Sequence, residues 1–68
     1  MTISVLVNGE PRALEEPIAL GVLVARYGAA TTGVAAALNE AVVPRSRWSA
    51  TRLADGDRVE ILTAVQGG

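Results

Sequence analysis

Cysteine, histidine, lysine and phenylalanine are all missing from this chain. Without cysteine there is no disulfide framework, and without cysteine and histidine the usual zinc ligand sets are gone as well. Stability has to come from packing. The absence of lysine removes every side-chain amine that could form an isopeptide bond or a Schiff base. All six basic residues are arginine, which most simply reflects a genome biased toward arginine codons. Aromatic residues make up only 3% of the chain, so the 50% that is hydrophobic is almost entirely aliphatic. That fraction is too apolar for a disordered chain, and no run of it is long enough to span a membrane. At 68 residues there is room for one small domain and no second core.

A net charge of −1 excludes the broad basic footprint that drives nucleic-acid binding. No stretch near the start pairs a basic region with an apolar one, so a soluble cytoplasmic protein without a membrane partner is the default expectation. The missing residue types also argue against an enzyme. General acid–base work needs a histidine, or a carboxylate or lysine at a shifted pKa, and covalent catalysis needs an activated nucleophile. Serines, threonines, one tyrosine and seven carboxylates remain, with no spacing among them that suggests a triad or a carboxylate pair.

What is present is strongly patterned. Ile3, Val5 and Val7 alternate with Thr2, Ser4 and Leu6, the period-two pattern of a strand with one buried face. Asn8-Gly9 then marks a two-residue hairpin turn, and the chain returns through Arg12 to Leu14, with Pro11 indicating an edge strand. From Ile18 the period changes: Leu20, Leu23, Val24 and Tyr27 form the stripe of an amphipathic helix that Gly28 stops. Glu15 and Glu16 precede its first turn and Arg26 lies in its last, both favourable against the helix dipole. Gly21 weakens this helix by about 1 kcal/mol relative to alanine, so the element depends on tertiary contact.

Val34, Ala36 and Leu38 alternate again, turn at Asn39-Glu40, and return through Ala41 to Val43, where Pro44 ends the strand. The segment from Arg45 to Leu53 is irregular, with Trp48 and Leu53 as its inward anchors. Asp55, Gly56 and Asp57 make a turn, and Arg58 to Leu62 form a last strand with Val59 and Ile61 on one face. Hairpin, helix, strand pair and final strand have one economical assembly, in which the first and last strands lie side by side in a mixed sheet of about five strands with the helix across one face. That is an α+β, ubiquitin-like β-grasp fold, expected to occupy residues 1–63, with 64–68 as a flexible tail.

Three features could carry chemistry. Asp55 and Asp57 could ligate a hard cation, but an Asp-Gly-Asp turn before a strand explains them better, and no metal site is expected. Arg45, Arg47 and Arg52 form a basic cluster that could meet an acidic or phosphate-bearing partner, although a solvated face explains them better. Trp48 reads as a core or rim plug rather than a stacking platform. The informative feature is the end of the chain, Gln66-Gly67-Gly68. Two residues without Cβ atoms can enter a narrow channel and leave the terminal carbonyl open to attack.

Several segments together resemble the ThiS family of thiamine-pathway sulfur carriers. They are Val7-Asn8-Gly9-Glu10, Ala37-Leu38-Asn39-Glu40, Val42-Val43-Pro44-Arg45 followed by Trp48, Leu53-Ala54-Asp55-Gly56-Asp57, and the closing Gly67-Gly68. The terminal diglycine alone is shared with the small subunit of molybdopterin synthase, MoaD, and with ubiquitin-like modifiers. The Val-Val-Pro-Arg stretch with its tryptophan is more particular to the thiazole branch. Glu40 and Ala41 depart from the glycine and glutamate of many relatives. The resemblance implies a carrier that other enzymes act on and that binds no cofactor itself. A ThiF-like enzyme would use ATP and Mg to adenylate Gly68, a persulfide donor would convert it to a thiocarboxylate, a 1-thioglycine, and thiazole synthase ThiG would receive the sulfur. Gly67 and Gln66 would thread the partner's channel. A MoaD-like carrier and a ubiquitin-like modifier or binding module are the alternative readings.

A docking surface is also expected. If Ile3, Val5, Val7, Val59 and Ile61 face the core, Leu6 and Leu62 face outward, and pairing of the first and last strands is expected to bring them close as a partner-binding patch.

Overall fold

The computed structural model describes residues 1–27 and 33–63. The strands are β1 (Thr2–Val7), β2 (Glu10–Glu15), β3 (Val34–Leu38), β4 (Ala41–Val43) and β5 (Arg58–Thr63). One α-helix, α1 (Leu20–Tyr27), follows β2, and a 3₁₀ helix, Arg45–Ala50, follows β4. The sheet order is β2-β1-β5-β3-β4, with β1 and β5 parallel and the remaining pairs antiparallel. This is the expected β-grasp arrangement, with Pro11 on an edge strand where a missing N–H interrupts no ladder.

The period-two pattern of β1 is realised as strict alternation of exposed and buried residues. Ile3, Val5 and Val7 join Leu14, Leu20, Leu23, Val24, Val59 and Ile61 in one core that also takes in Trp48 and Leu53. Leu20 and Leu23 are completely buried, each worth about 1.5–3 kcal/mol relative to exposure. Both hairpins turn through left-handed residues: Asn8 at φ 52° with Gly9 at 85°, and Asn39 at 50° with Glu40 at 73°. Consecutive left-handed residues match the twist of the strands they join.

The helix differs from its sequence reading at its start and in the exposure of its last residue, Tyr27. It begins at Leu20 rather than Ile18, because Ile18 and Ala19 are drawn into extended contact with the loop after the 3₁₀ helix. Leu53 N–H donates to Ile18 O at 3.0 Å, Leu20 N–H donates to Thr51 O at 2.7 Å, and Ala19 bridges Arg52. Glu15 belongs to β2, where its carboxylate meets the N-terminal ammonium and the Thr2 hydroxyl, and no acidic residue lies in the first turn of the helix. Tyr27 is exposed rather than part of the core stripe, since the Arg12 guanidinium, held by Glu10 at 2.8 Å, lies 5.3 Å over its ring. At an exposed site such a contact contributes about 0.5–1 kcal/mol. Gly28 lies outside the described residues.

Gly21 shows what the helix depends on. A Cβ built at this position would sit 3.4 Å from Trp48 Cβ. The 3₁₀ helix therefore packs against α1 over a position with no side chain. Trp48 is buried there, and its indole Nε1–H donates to Val43 O at 2.8 Å.

Candidate functional site

The strand that leads toward the chain's end is the middle one. β5 pairs with β3 from Leu38 opposite Val59 to Val34 opposite Thr63. On its other side it pairs with β1 over Leu6 opposite Arg58 and Val7 opposite Val59. Gln66, Gly67 and Gly68, the residues on which the sulfur chemistry is expected, lie outside the described residues.

Two asparagines at the hairpin turns reach β5 from opposite sides. Asn8 N–H donates to Val59 O at 2.9 Å, its Nδ2 donates to Ile61 O at 3.2 Å, and its Oδ1 accepts from Ile61 N–H at 2.8 Å. Asn39 N–H donates to Arg58 O at 2.7 Å, and its Oδ1 accepts from Arg58 N–H at 2.9 Å. Its Nδ2 donates to Asp57 Oδ1 at 3.0 Å. Sequence reasoning assigns these asparagines to turns and misses their bonds to β5. The signal that could have found them is asparagine, rather than aspartate or glycine, at the first left-handed position of both turns, since it alone carries a donor and an acceptor together.

The turn before β5 is equally engaged. Asp55 Oδ1 accepts from Ser4 N–H at 2.8 Å, and Asp57 Oδ2 accepts from Ala54 N–H at 2.8 Å. These carboxylates organise the loop, as ordinary turn chemistry predicts. Arg45, Arg47 and Arg52 are all exposed. The Arg45 guanidinium lies 5.5 Å over the Trp48 ring.

Leu6 and Leu62 both face away from the helix, and their exposures are 38% and 64%. They are not close. Leu6 is opposite Arg58, and Leu62 lies about 13 Å farther along β5, at roughly 3.3 Å per residue. Arg58 and Glu60 occupy the outer face between them. The parallel register, which alternation alone does not reveal, accounts for the difference. Leu62 instead lies opposite Ala35, and Val42, 77% exposed, lies opposite Ala37, so beside the charged Arg58 and Glu60 the outer face of β5, β3 and β4 carries the small or apolar Leu62, Ala35, Ala37 and Val42. Leu6 has its own neighbour, Pro11 on β2.

The sequence pattern of the ThiS family matches residues 5–68, nearly the whole chain. The chain belongs to the ThiS family. Among solved structures it is similar to the crystal structure of thiamine biosynthesis protein ThiS from Geobacter metallireducens. The two are 32% identical with a TM-score of 0.80, covering 97% of this chain and all of that one. The solution structure of a thiamine biosynthesis protein from the same organism aligns with a TM-score of 0.78 at 32% identity, covering 97% of this chain and 88% of that one. The chain is also 36% identical to the uncharacterized protein ycf40 of Pyropia yezoensis and 35% identical to that of Porphyra purpurea. Each of those alignments covers 97% of this chain and 93% of its relative. ThiS membership agrees with the β-grasp topology, and among the described residues no helix is long and apolar enough to cross a membrane.

Proposed function

We propose that this ThiS-family chain is a sulfur carrier for thiazole formation in thiamine biosynthesis, with the carboxylate of Gly68 as the group that is activated and loaded. The observation that carries this reading is the family match, which runs through the sheet to Gly68 itself. An ionised carboxylate repels nucleophiles and has no useful leaving group. A ThiF-like enzyme with MgATP would let that carboxylate attack the α-phosphorus, release pyrophosphate and form an acyl adenylate. A persulfide sulfur would then displace AMP, and cleavage of the resulting sulfur–sulfur bond by a thiol would leave the thiocarboxylate. Thiazole synthase ThiG would accept the sulfur. In this scheme the chain is a co-substrate of its partners, and ATP and Mg belong to the activating enzyme.

Gly67 and Gln66 would lie in the partner's channel, where a residue without Cβ permits the closest approach. The outer face of the sheet, with Leu62 at one end and Leu6 at the other, would hold the body of the carrier while the terminus reacts.

The test is loading with a ThiF-like enzyme, MgATP and a persulfide donor, read by intact mass. The expected result is exchange of one oxygen for sulfur at Gly68, abolished by one added C-terminal residue and strongly reduced by Gly67→Val. Normal loading of either variant would overturn the assignment of the terminus. Retained binding of a well-folded Leu6→Asp, Leu62→Asp double variant to ThiF-like and ThiG partners would remove the outer face from the scheme.

A further inference from the structure

Along β5 the main-chain N–H and C=O of each residue face one neighbour, and successive residues alternate between the two sides. Those of Val59 and Ile61 face β1, while those of Arg58, Glu60 and Leu62 face β3, as the bonds from Asn8 and Asn39 establish. The β3 side is a continuous ladder to Thr63. The β1 side is not, because β1 ends at Val7 and turns away into β2. Beyond Val59, what reaches β5 on that side is the carboxamide of Asn8. It presents an acceptor to Ile61 N–H at 2.8 Å and a donor to Ile61 O at 3.2 Å. A side-chain amide has the donor and acceptor of a peptide group in one plane, so Asn8 adds one residue's worth of ladder that the backbone does not supply. Ile61 is itself buried and lies two residues before the end of β5.

We infer that Asn8 is a positioning residue for the reactive terminus. By holding Ile61 N–H and C=O from the β1 side while β3 holds the strand from the other, it fixes the last residues of β5 in the sheet, and so the point from which the segment that carries Gly68 starts. This inference rests on the carrier reading above. At the opposite end of β5, where the strand enters, the Asn39 carboxamide accepts from Arg58 N–H and donates to the Asp57 side chain, and so supplies an internal control of similar chemistry at a place remote from the exit.

The experiment compares Asn8→Gly with Asn39→Gly. Glycine accepts the left-handed turn and keeps the main-chain N–H, so each change deletes only the carboxamide. Adenylation of the full chain by a ThiF-like enzyme is measured as kcat and KM, alongside amide hydrogen exchange. For Asn8→Gly the expected result is kcat down by about tenfold with KM within about twofold, since small misplacement of a reacting group is expressed in the chemical step. Ile61 exchange should rise by about tenfold, with Ile3 protection kept. Asn8→Asp, which keeps the acceptor and loses the donor, should lie between, and it decides the question in the same way if Asn8→Gly does not fold. Asn39→Gly should leave kcat near that of the unaltered chain.

An unchanged kcat in Asn8→Gly despite faster Ile61 exchange would overturn the inference, as would an equal fall in Asn39→Gly or a change confined to KM. An unaltered chain that is not adenylated at all would overturn the carrier reading and the positioning role with it. Failure of the Asn8 variants alone to respond overturns only the role of Asn8.

Discussion

The two hairpins solve the same problem with different residues. Both turn through two left-handed positions, and both place asparagine first, where its amide reaches β5. They differ at the second position, which is Gly9 at φ 85° in one and Glu40 at φ 73° in the other. A left-handed residue with a Cβ carries about 1–2 kcal/mol of strain that glycine avoids. Glu40 gains little in return, because its carboxylate lies 3.6 Å from Arg58 in an exposed pair, and such pairs contribute about 0–1 kcal/mol. The second position is relaxed in the first turn and strained in the second, yet both turns keep the asparagine. The side-chain bonds to the middle strand, more than turn propensity, are therefore what the two sites share.

The largest expected effect breaks the shared part. Asn8→Ala and Asn39→Ala each remove side-chain bonds to β5 and put alanine into a left-handed position, so each should lower stability by about 2–4 kcal/mol in denaturant melts. Little loss in either would show that its bonds to β5 are dispensable. Next comes the part that differs. Exchanging the second residues should give opposite signs: Gly9→Ala destabilising by about 1–2 kcal/mol, and Glu40→Gly stabilising by about 1 kcal/mol after loss of its ion pair. A Cβ at Gly9 would meet nothing within 4 Å, so any cost there is conformational. Equal signs would remove the contrast between the turns. The smallest effect concerns a glycine present for another reason. Gly21 is helical, and a Cβ there would lie at ordinary contact distance from Trp48. Gly21→Ala should therefore stabilise by up to about 1 kcal/mol in thermal melts, whereas a branched side chain should separate the 3₁₀ helix from α1.

Much of this architecture is legible in the sequence, because binary pattern and turn chemistry agree. Asn8-Gly9, Pro11, the switch from period two to the helical stripe, and the Val59/Ile61 face each lead to the element observed. The 3₁₀ helix is not legible, since Arg45-Ser46-Arg47 has no apolar period and only Trp48 betrays that the segment packs inward. Tyr27 fits the helical stripe by spacing, and only the distant Arg12 explains its exposure. The Asn8 latch joins residues 53 apart in sequence, beyond the reach of any local signal. The separation of Leu6 from Leu62 follows from a parallel register that alternation cannot fix. At the site itself, the closing glycines stand out in the sequence and lie outside the described residues, whereas the asparagines that hold β5 are apparent only from its hydrogen bonds.

The sheet order has a consequence for the time course of folding. β1 with β2, and β3 with β4, are local pairs that can form as soon as each has left the ribosome, but in the finished sheet β5 separates them. Long-range closure is the slow, entropically opposed step, and here it waits for β5, the last strand among the described residues. Until that strand inserts, the two pairs have no shared sheet and the core has no centre. The segment that leads to Gly68 is thus also the one that completes the domain. Any event that needs β5 in its place in the sheet therefore comes after the two strand pairs have been joined.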